Sequence, residues 1–144
     1  MANVIPDSFK TDLLKGTFNF DSSGGSTFKL ALYTDISGLT TSTTAFTATN
    51  EVSTSGTNYS SGGNALTNSG VSISSNIAFV DFADLTFSSV TLSAVGALIY
   101  KSSSGNEAVL VLDFGGTKTA TNGDFVVQFP TASSSAAIIR LGNA

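Results

Sequence analysis

Along most of the chain, apolar and polar positions alternate in short runs separated by Gly, Ser and Asn, a pattern typical of short antiparallel strands. The strongest example is the stretch 92–114, in which two apolar runs flank a polar break at 101–107. Each run is short and rich in β-branched and aromatic residues, and Gly105-Asn106 supplies a turn within the break. We therefore predict a β-hairpin at the centre of the sheet, with a bulge or a close backbone approach at Gly96.

Further strands are predicted on both sides of this hairpin. The run 27–34 places Phe28, Leu30 and Leu32 on a core face and leaves the opposite face partly polar. In the run 71–75, the alternation directs Val71 and Ile73 inwards, with a turn at Ser75-Asn76. Shorter patterns predict strands at 17–20, 77–82, 84–87, 125–129 and 136–141, and a loop at 115–124 with a turn at Asn122-Gly123. About eight or nine short strands predict an all-β fold, a single β-sandwich or jelly-roll-like domain.

The N-terminal residues predict a short helix over 8–15. Phe9, Leu13 and Leu14 fall on one face, Asp7 or Ser8 can cap the start, and Gly16 is a stop signal. A helix this short must dock on something. It can dock on its own sheet, or it can belong to an arm, residues 1–16, that reaches a neighbouring subunit from a sandwich formed by 17–144.

The segment 35–61 is the least regular part of the chain. It is rich in Ser and Thr and carries few apolar anchors: Leu39, Phe46, Val52 and Tyr59. A connection of this length without secondary structure is uncommon inside a compact domain and tends to be functional or mobile. We predict a long surface excursion with one short strand near 58–60, and its contact with neighbours or with solvent stays open.

Composition and charge narrow the classes of function. Apolar residues make up 41% of the 144 residues and the mean hydropathy is +0.26, values typical of a folded chain. Charged residues are only 11%, so the polar surface is built mainly from Ser, Thr, Asn and Gly, as in extracellular or assembled proteins. The six basic residues are scattered, which argues against nucleic acid as a partner. No apolar run reaches the ~18 residues of a membrane span, and the N-terminus lacks the pattern of a signal peptide.

The residues that could carry catalysis are few. Histidine and cysteine are absent, so acid–base chemistry would fall on carboxylates such as Asp81, Asp84 and Asp113. We expect these to be strand-end or surface residues, and we predict no catalytic, cofactor-binding or metal-binding residues. A carboxylate hydrolase is kept as an alternative. Sugar binding would rest on Tyr33, Tyr59 or Tyr100, of which the first and last are expected at the edge of the core.

The order of several motifs resembles small structural proteins encoded by tailed bacteriophages. The resemblance covers nearly the whole chain and is carried by Phe28–Tyr33, Asn50–Val52, Tyr59–Leu66, Val80–Phe82, Gly96–Tyr100, Asp113–Gly115, Gly123–Phe125 and Ile138–Leu141. Two positions depart from it, since Phe87 stands where the family would have Trp and Val95 where it would have a basic residue.

The resemblance implies a virion component, a capsid decoration (cement) protein on the outer shell that is made in the host cytoplasm. It would bind the major capsid protein and itself, as a homo-oligomer, without a cofactor. The alternative is a tail or fibre component that binds host-surface glycans. From the residues, the candidates for partner contact are the N-terminal segment and the excursion: Val4, Ile5, Phe9, Leu13, Leu14, Leu39, Phe46 and Tyr59.

Overall fold

The computed structural model describes residues 2–143 and confirms the all-β prediction. Two antiparallel sheets pack together in a sandwich-like domain with one short helix. The elements are α1 (Asp7–Leu14), β1 (Phe28–Tyr33), β2 (Asn64–Ala65), β3 (Asn68–Ser74), β4 (Ile77–Phe82), β5 (Leu85–Lys101), β6 (Ala108–Val127) and β7 (Ile139–Leu141). The first sheet has the order β2-β1-β5-β6 and the second the order β3-β4-β7. Met1 and Ala144 lie outside the described residues. They are the first residue of the predicted arm, 1–16, and the last residue of the predicted sandwich, 17–144.

The predicted central hairpin is present but much longer than the sequence indicated. Its inner half pairs Gly96 to Tyr100 with Ala108 to Asp113, and β1 pairs along the other side of β5. The prediction of a loop at 115–124 is wrong, because this segment continues β6 and pairs with the first half of β5. Asn122 has a φ of 46° at a register shift of the ladder rather than in a turn. The strands predicted at 84–87 and 125–129 are the ends of β5 and β6, so the described strands number seven rather than eight or nine.

Gly96 lies where the prediction placed both a bulge and a close approach. The register of β5 against β6 shifts between Ala94 and Gly96. A Cβ at Gly96 would lie 2.4 Å from the carbonyl oxygen of Leu112 and 2.8 Å from Cγ2 of Ile36. The absence of a side chain therefore lets Ile36 cross directly over the hairpin.

The second sheet begins with a tight hairpin. Ser75 and Asn76 have φ values of 51° and 64° and join Ser74 directly to its partner Ile77, as the predicted turn requires. The last strand is shorter than predicted, since β7 begins at Ile139 rather than at 136. It pairs with the middle of β4 and completes the sheet.

Phenylalanine rings fill much of the space between the two sheets. Phe20 stacks on Phe28 with ring centroids 4.7 Å apart, and Phe28 meets Phe82 of the second sheet at 5.7 Å. The strand predicted at 17–20 is not formed, because this segment makes no ladder and instead places Phe18 and Phe20 in the core.

The helix prediction is confirmed with a shift of one residue, since α1 runs from Asp7 to Leu14. Pro6 occupies the N-cap position, and no side chain caps the helix. The prediction of Asp7 or Ser8 as the cap is therefore wrong. The Ser8 hydroxyl instead donates a hydrogen bond to the carbonyl of Thr43 at 3.1 Å. Gly16, with a φ of 79°, follows the helix end as predicted.

Candidate functional site

Several side chains predicted for partner contact lie inside the chain's own core. Phe9, Leu39 and Tyr59 are at most 4% exposed, and Val4, Leu13 and Phe46 are half-buried against the two core clusters. These surfaces are used within the chain while it keeps this fold. Of the eight candidates, only Ile5 and Leu14 are exposed, Leu14 at 85%.

The first part of the segment 35–61 covers the outer face of the first sheet with Ile36, Leu39 and Phe46, whereas Val52 and Tyr59 belong to the core between the sheets. Ala31 and Tyr33 on that face are completely buried, under Ile36 and Leu39 and beside the ring of Phe46. The strand predicted at 58–60 is not formed. The apolar anchors of the excursion therefore contact their own sheet, and its Ser and Thr residues form most of the exposed layer.

A hydrogen-bonded cluster fastens the end of this excursion. The Glu51 carboxylate accepts hydrogen bonds from the Tyr59 hydroxyl at 2.8 Å, the Ser61 hydroxyl at 3.0 Å and the Gly62 amide at 2.6 Å. The Tyr59 hydroxyl also accepts a bond from the Leu32 amide at 3.0 Å, so the cluster reaches β1. Tyr100 donates to the Gly62 carbonyl at 2.6 Å. Because both carboxylate oxygens of Glu51 accept hydrogen bonds within the chain, this residue is better suited to fixing the excursion than to acid–base catalysis.

Burial also removes the tyrosines as platforms for sugars. Tyr33, Tyr59 and Tyr100 are each at most 3% exposed. Burial raises the pKa of all three hydroxyls above their ordinary value, and the neighbouring Glu51 carboxylate adds to the shift. An exposed aromatic platform would have to come from phenylalanine.

The second sheet carries an apolar strip that nothing in the described chain covers. Paired residues on one face form two rows, Val71–Val80–Ile139 and Ile73–Ala78–Leu141. Val80 of the first row is buried, but Val71 is 55%, Ile73 74% and Leu141 62% exposed. The prediction that Val71 and Ile73 are buried is therefore wrong, although they share the face of the buried Val80. Leu14, at the end of α1, adds a fourth exposed residue, and we name Leu14, Val71, Ile73 and Leu141 the apolar strip.

A groove connects the apolar strip to the core. It has a volume of about 140 Å³ and is lined by Leu13, Phe20, Val71, Ala78, Phe79, Val80, Ile139 and Leu141. Every one of these side chains is apolar, so the groove suits an apolar side chain of a partner better than a polar ligand.

A larger and more polar groove follows β6. Its volume is about 530 Å³, and it is lined by Phe114, Lys118, Thr119, Asp124, Phe125, Val126, Val127 and Gln128. Gly115 and Gly116 have φ values of 74° and 148° where the register of β5 against β6 shifts, and the ring of Phe114 lies 6.0 Å from that of Phe125. This is the second candidate surface, with one half-exposed aromatic ring among hydroxyl, amide and charged groups.

The three carboxylates considered for catalysis have separate structural surroundings. Asp84 Oδ1 accepts a bond from the Phe129 amide at 2.8 Å, and Asp113 Oδ1 accepts one from the Gly115 amide at 2.8 Å. The Gly115 bond holds the pKa of Asp113 below its ordinary value. Asp81 is 2% exposed and is bonded through Oδ1 to the Phe82 amide, while Oδ2 has no hydrogen-bond partner. Within residues 2–143, no group of three or more acidic residues is arranged to hold a metal ion.

Asp81 gives a pH-dependent prediction. Burial raises its pKa above 3.8, with Asp84 adding to the shift and the amides of Phe82 and Ile138 opposing it. The folded chain therefore holds this proton more tightly than the unfolded chain, so the carboxylate lowers stability as the pH rises above 3.8. We expect the wild type to gain stability relative to Asp81→Asn when the pH falls from 7 to 4. Urea unfolding of both proteins at the two pH values measures this, and a difference that does not change with pH would contradict it.

Comparisons with protein-family models, with curated proteins and with solved structures found no match to this chain. None of the helical structure within residues 2–143 is long and apolar enough to span a bilayer. The candidate sites are therefore the apolar strip and the β6 groove. Sequence reasoning named Leu14 but missed the rest of the strip, because burial of Val71 and Ile73 depends on what lies opposite the sheet.

Proposed function

We propose that the protein is a virion structural component, a capsid decoration protein that docks on the major capsid protein of a tailed bacteriophage and stabilises the head. The observation that supports this most directly is the apolar strip. Exposed aliphatic side chains on an otherwise hydroxyl-rich and weakly charged domain mark a protein-contact surface. The choice of the major capsid protein as the partner rests on the resemblance of the motif order to phage structural proteins.

The chemistry of the strip defines what the shell must offer. Leu14 and Leu141 are exposed aliphatic residues, and Leu141 lines the apolar groove together with Leu13, the neighbour of Leu14. Their partner would be an apolar projection on the capsid protein, surrounded by neutral polar groups. Each such contact is weak, and repetition of the same contact over a symmetric shell multiplies its effect.

Binding to heads is expected to depend on the exposed leucines of the strip. We expect Leu14→Ser with Leu141→Ser to lower the affinity for heads by at least about tenfold, since burying one leucine contributes about 1.5–3 kcal/mol. The measurement is cosedimentation with heads assembled from the major capsid protein of the same genome. Val126→Ser is the matched control, because Val126 is also exposed but lies on β6.

The outcomes separate the two candidate functions. Equal occupancy of the double variant and the wild type would overturn docking through the strip, and absence of wild-type binding to heads would overturn the decoration function itself. The second candidate is a tail or fibre component that binds glycans, and the β6 groove favours it because Phe114 offers a ring beside Lys118 and Asp124. Retention of the protein on saccharides in place of heads would support that candidate.

A further inference from the structure

The β3 strand is an edge of the second sheet, and after the register shift between Asn68 and Val71 it lacks the charges and proline that usually protect an edge. It pairs with β4 on one side, and in the sheets formed by residues 2–143 no strand pairs with its other side. Natural edges are commonly blocked by charged residues or proline, because an open edge can pair with another chain. The seven residues of β3, NSGVSIS, contain neither. The opposite edge, β7, is three residues long and carries Arg140.

The free hydrogen-bonding groups of this edge belong to two residues. Because the Ser75-Asn76 turn makes Ser74 and Ile77 a hydrogen-bonded pair, the pairs alternate from there along the hairpin. Ile73↔Ala78 and Val71↔Val80 are then non-hydrogen-bonded pairs, so the N–H and C=O groups of Val71 and Ile73 point away from β4. The same two residues carry exposed side chains of the apolar strip.

The usable part of the edge is short. At its start, the Asn68 side chain donates a hydrogen bond to the Phe20 carbonyl at 2.9 Å. Ser22 lies 3.3 Å from the position that a Cβ on Gly70 would take. The turn that follows Phe20 therefore occupies the surroundings of 68–70 and leaves 71–74 open.

We propose that β3 pairs antiparallel with β3 of a second copy, around a two-fold axis at Ser72. Val71 then lies opposite Ile73 of the second copy, and each of these pairs exchanges two backbone hydrogen bonds. The two three-stranded sheets become one six-stranded sheet, and the exposed valine and isoleucine side chains meet in cross-strand pairs.

The absence of charged residues on β3 favours a second copy of this strand as the partner at the open edge. A two-fold axis places identical strands against each other, so any charge on the strand would face its own copy, and β3 has none. Growth beyond the pair is opposed, because the outer edges of the six-stranded sheet would be the two β7 strands, each with Arg140. Leu14 and Leu141 take no part in the pairing, so the dimer does not depend on the proposed capsid contact and presents two copies of it.

Disulfide trapping tests the register. The chain has no cysteine, so a single introduced one reports only its own neighbourhood. At the axis, two copies of Ser72 form a non-hydrogen-bonded pair with Cα atoms about 4.5 Å apart, which a disulfide can bridge. Ser72→Cys is expected to give a covalent dimer under mild oxidation. Ser74→Cys is the matched control, because its two copies would lie roughly 14 Å apart at ~3.4 Å per residue.

Sedimentation equilibrium tests the association itself. The wild type is expected to dimerise, and Val71→Lys to weaken the dimer by at least about tenfold, since the ammonium groups repel across the axis and lose water. Val126→Lys, an exposed valine outside β3, should leave the dimer unchanged. A wild type that stays monomeric to millimolar concentration, equal trapping at 72 and 74, or continuous growth of larger assemblies would each overturn the proposal. If the wild type forms the dimer but does not bind heads, the proposed function is contradicted and the dimer proposal is not.

Discussion

A chain that lacks residues 1–15 is expected to lose most of its stability, which favours docking of this segment on its own sheet over the alternative of an arm. Phe9 is 2% exposed, and its ring lies 5.0 Å from that of Phe18 and 6.2 Å from that of Phe20. Loss of one buried phenylalanine costs about 3–5 kcal/mol, against a typical total of about 5–15 kcal/mol for a domain. Truncation would also expose the rings that Phe9 covers.

Backbone bonds tie the same segment to the sandwich. The Val4 amide donates to the Val111 carbonyl at 2.9 Å, and the Val111 amide donates to the Val4 carbonyl at 2.8 Å. The Asp113 amide donates to the Asn3 side-chain oxygen at 2.8 Å. The Asp7 amide donates to the Thr41 carbonyl at 2.9 Å, so the segment also fastens the excursion. Its removal would leave polar groups unpaired on two elements.

Urea unfolding followed by circular dichroism measures this effect. Phe9→Ala in the full chain should lower the free energy of unfolding by about 3–5 kcal/mol. Leu14→Ala is the matched control on the same helix and should change it by less than about 0.5 kcal/mol, because Leu14 is 85% exposed. A truncated chain with the unfolding midpoint of the wild type would restore the interpretation of residues 1–16 as an arm.

Patterns within single elements predicted the local structure well. The alternation in 27–34, the runs on either side of Gly105-Asn106, and the turn at Ser75-Asn76 all reflect properties of a strand or turn by itself. The prediction of a loop at 115–124 was wrong for a different reason. Its Gly, Thr and Asn residues favour turns, but pairing with the first half of β5 holds them extended, and register shifts absorb the positive φ of Asn122.

What covers each face could not be predicted from alternation. Val71 and Ile73 face the side of the sheet that the pattern indicated, but no described element covers them there and they stay exposed. Leu39 and Tyr59, which we predicted as candidates for partner contact, are buried core residues in this fold. The signal that could have located Leu39 was the first strand of the central hairpin, which is apolar on both faces and therefore needs a second covering layer.

The buried tyrosines give the other large effect, a steep loss of stability above pH 10. The Tyr33 hydroxyl donates to the Thr47 carbonyl at 2.6 Å, and Tyr59 and Tyr100 donate to Glu51 and the Gly62 carbonyl. Deprotonation would remove these bonds and bury a negative charge near the Glu51 carboxylate. The pKa of each hydroxyl is therefore raised above the ordinary 10.0.

The sign of the effect follows from proton counting. Above pH 10 the unfolded chain releases three tyrosine protons that the folded chain keeps, so stability is complete below pH 10 and falls as the pH rises further. Each tyrosine that keeps its proton contributes at most about 1.4 kcal/mol per pH unit, so the three together contribute at most about 4 kcal/mol. Because the chain has no tryptophan, the near-ultraviolet absorbance of tyrosinate reports these three residues directly. It should appear together with the loss of the far-ultraviolet dichroism of the fold, in one cooperative step.

Single substitutions measure how much each tyrosine contributes to the fall of stability with pH above pH 10. Tyr33→Phe should remove about one third of the pH dependence above pH 10, since it deletes one of the three protons while keeping the ring that fills the space beside Leu98 and Val111. Tyr59→Phe should remove a similar share but also lower stability at pH 7, because the Leu32 amide would lose its acceptor inside the core. Tyrosinate absorbance that rises near pH 10 while the dichroism stays unchanged would show that the hydroxyls reach solvent. That result would contradict the hydrogen-bonded cluster around Glu51, in which the tyrosine hydroxyls are buried.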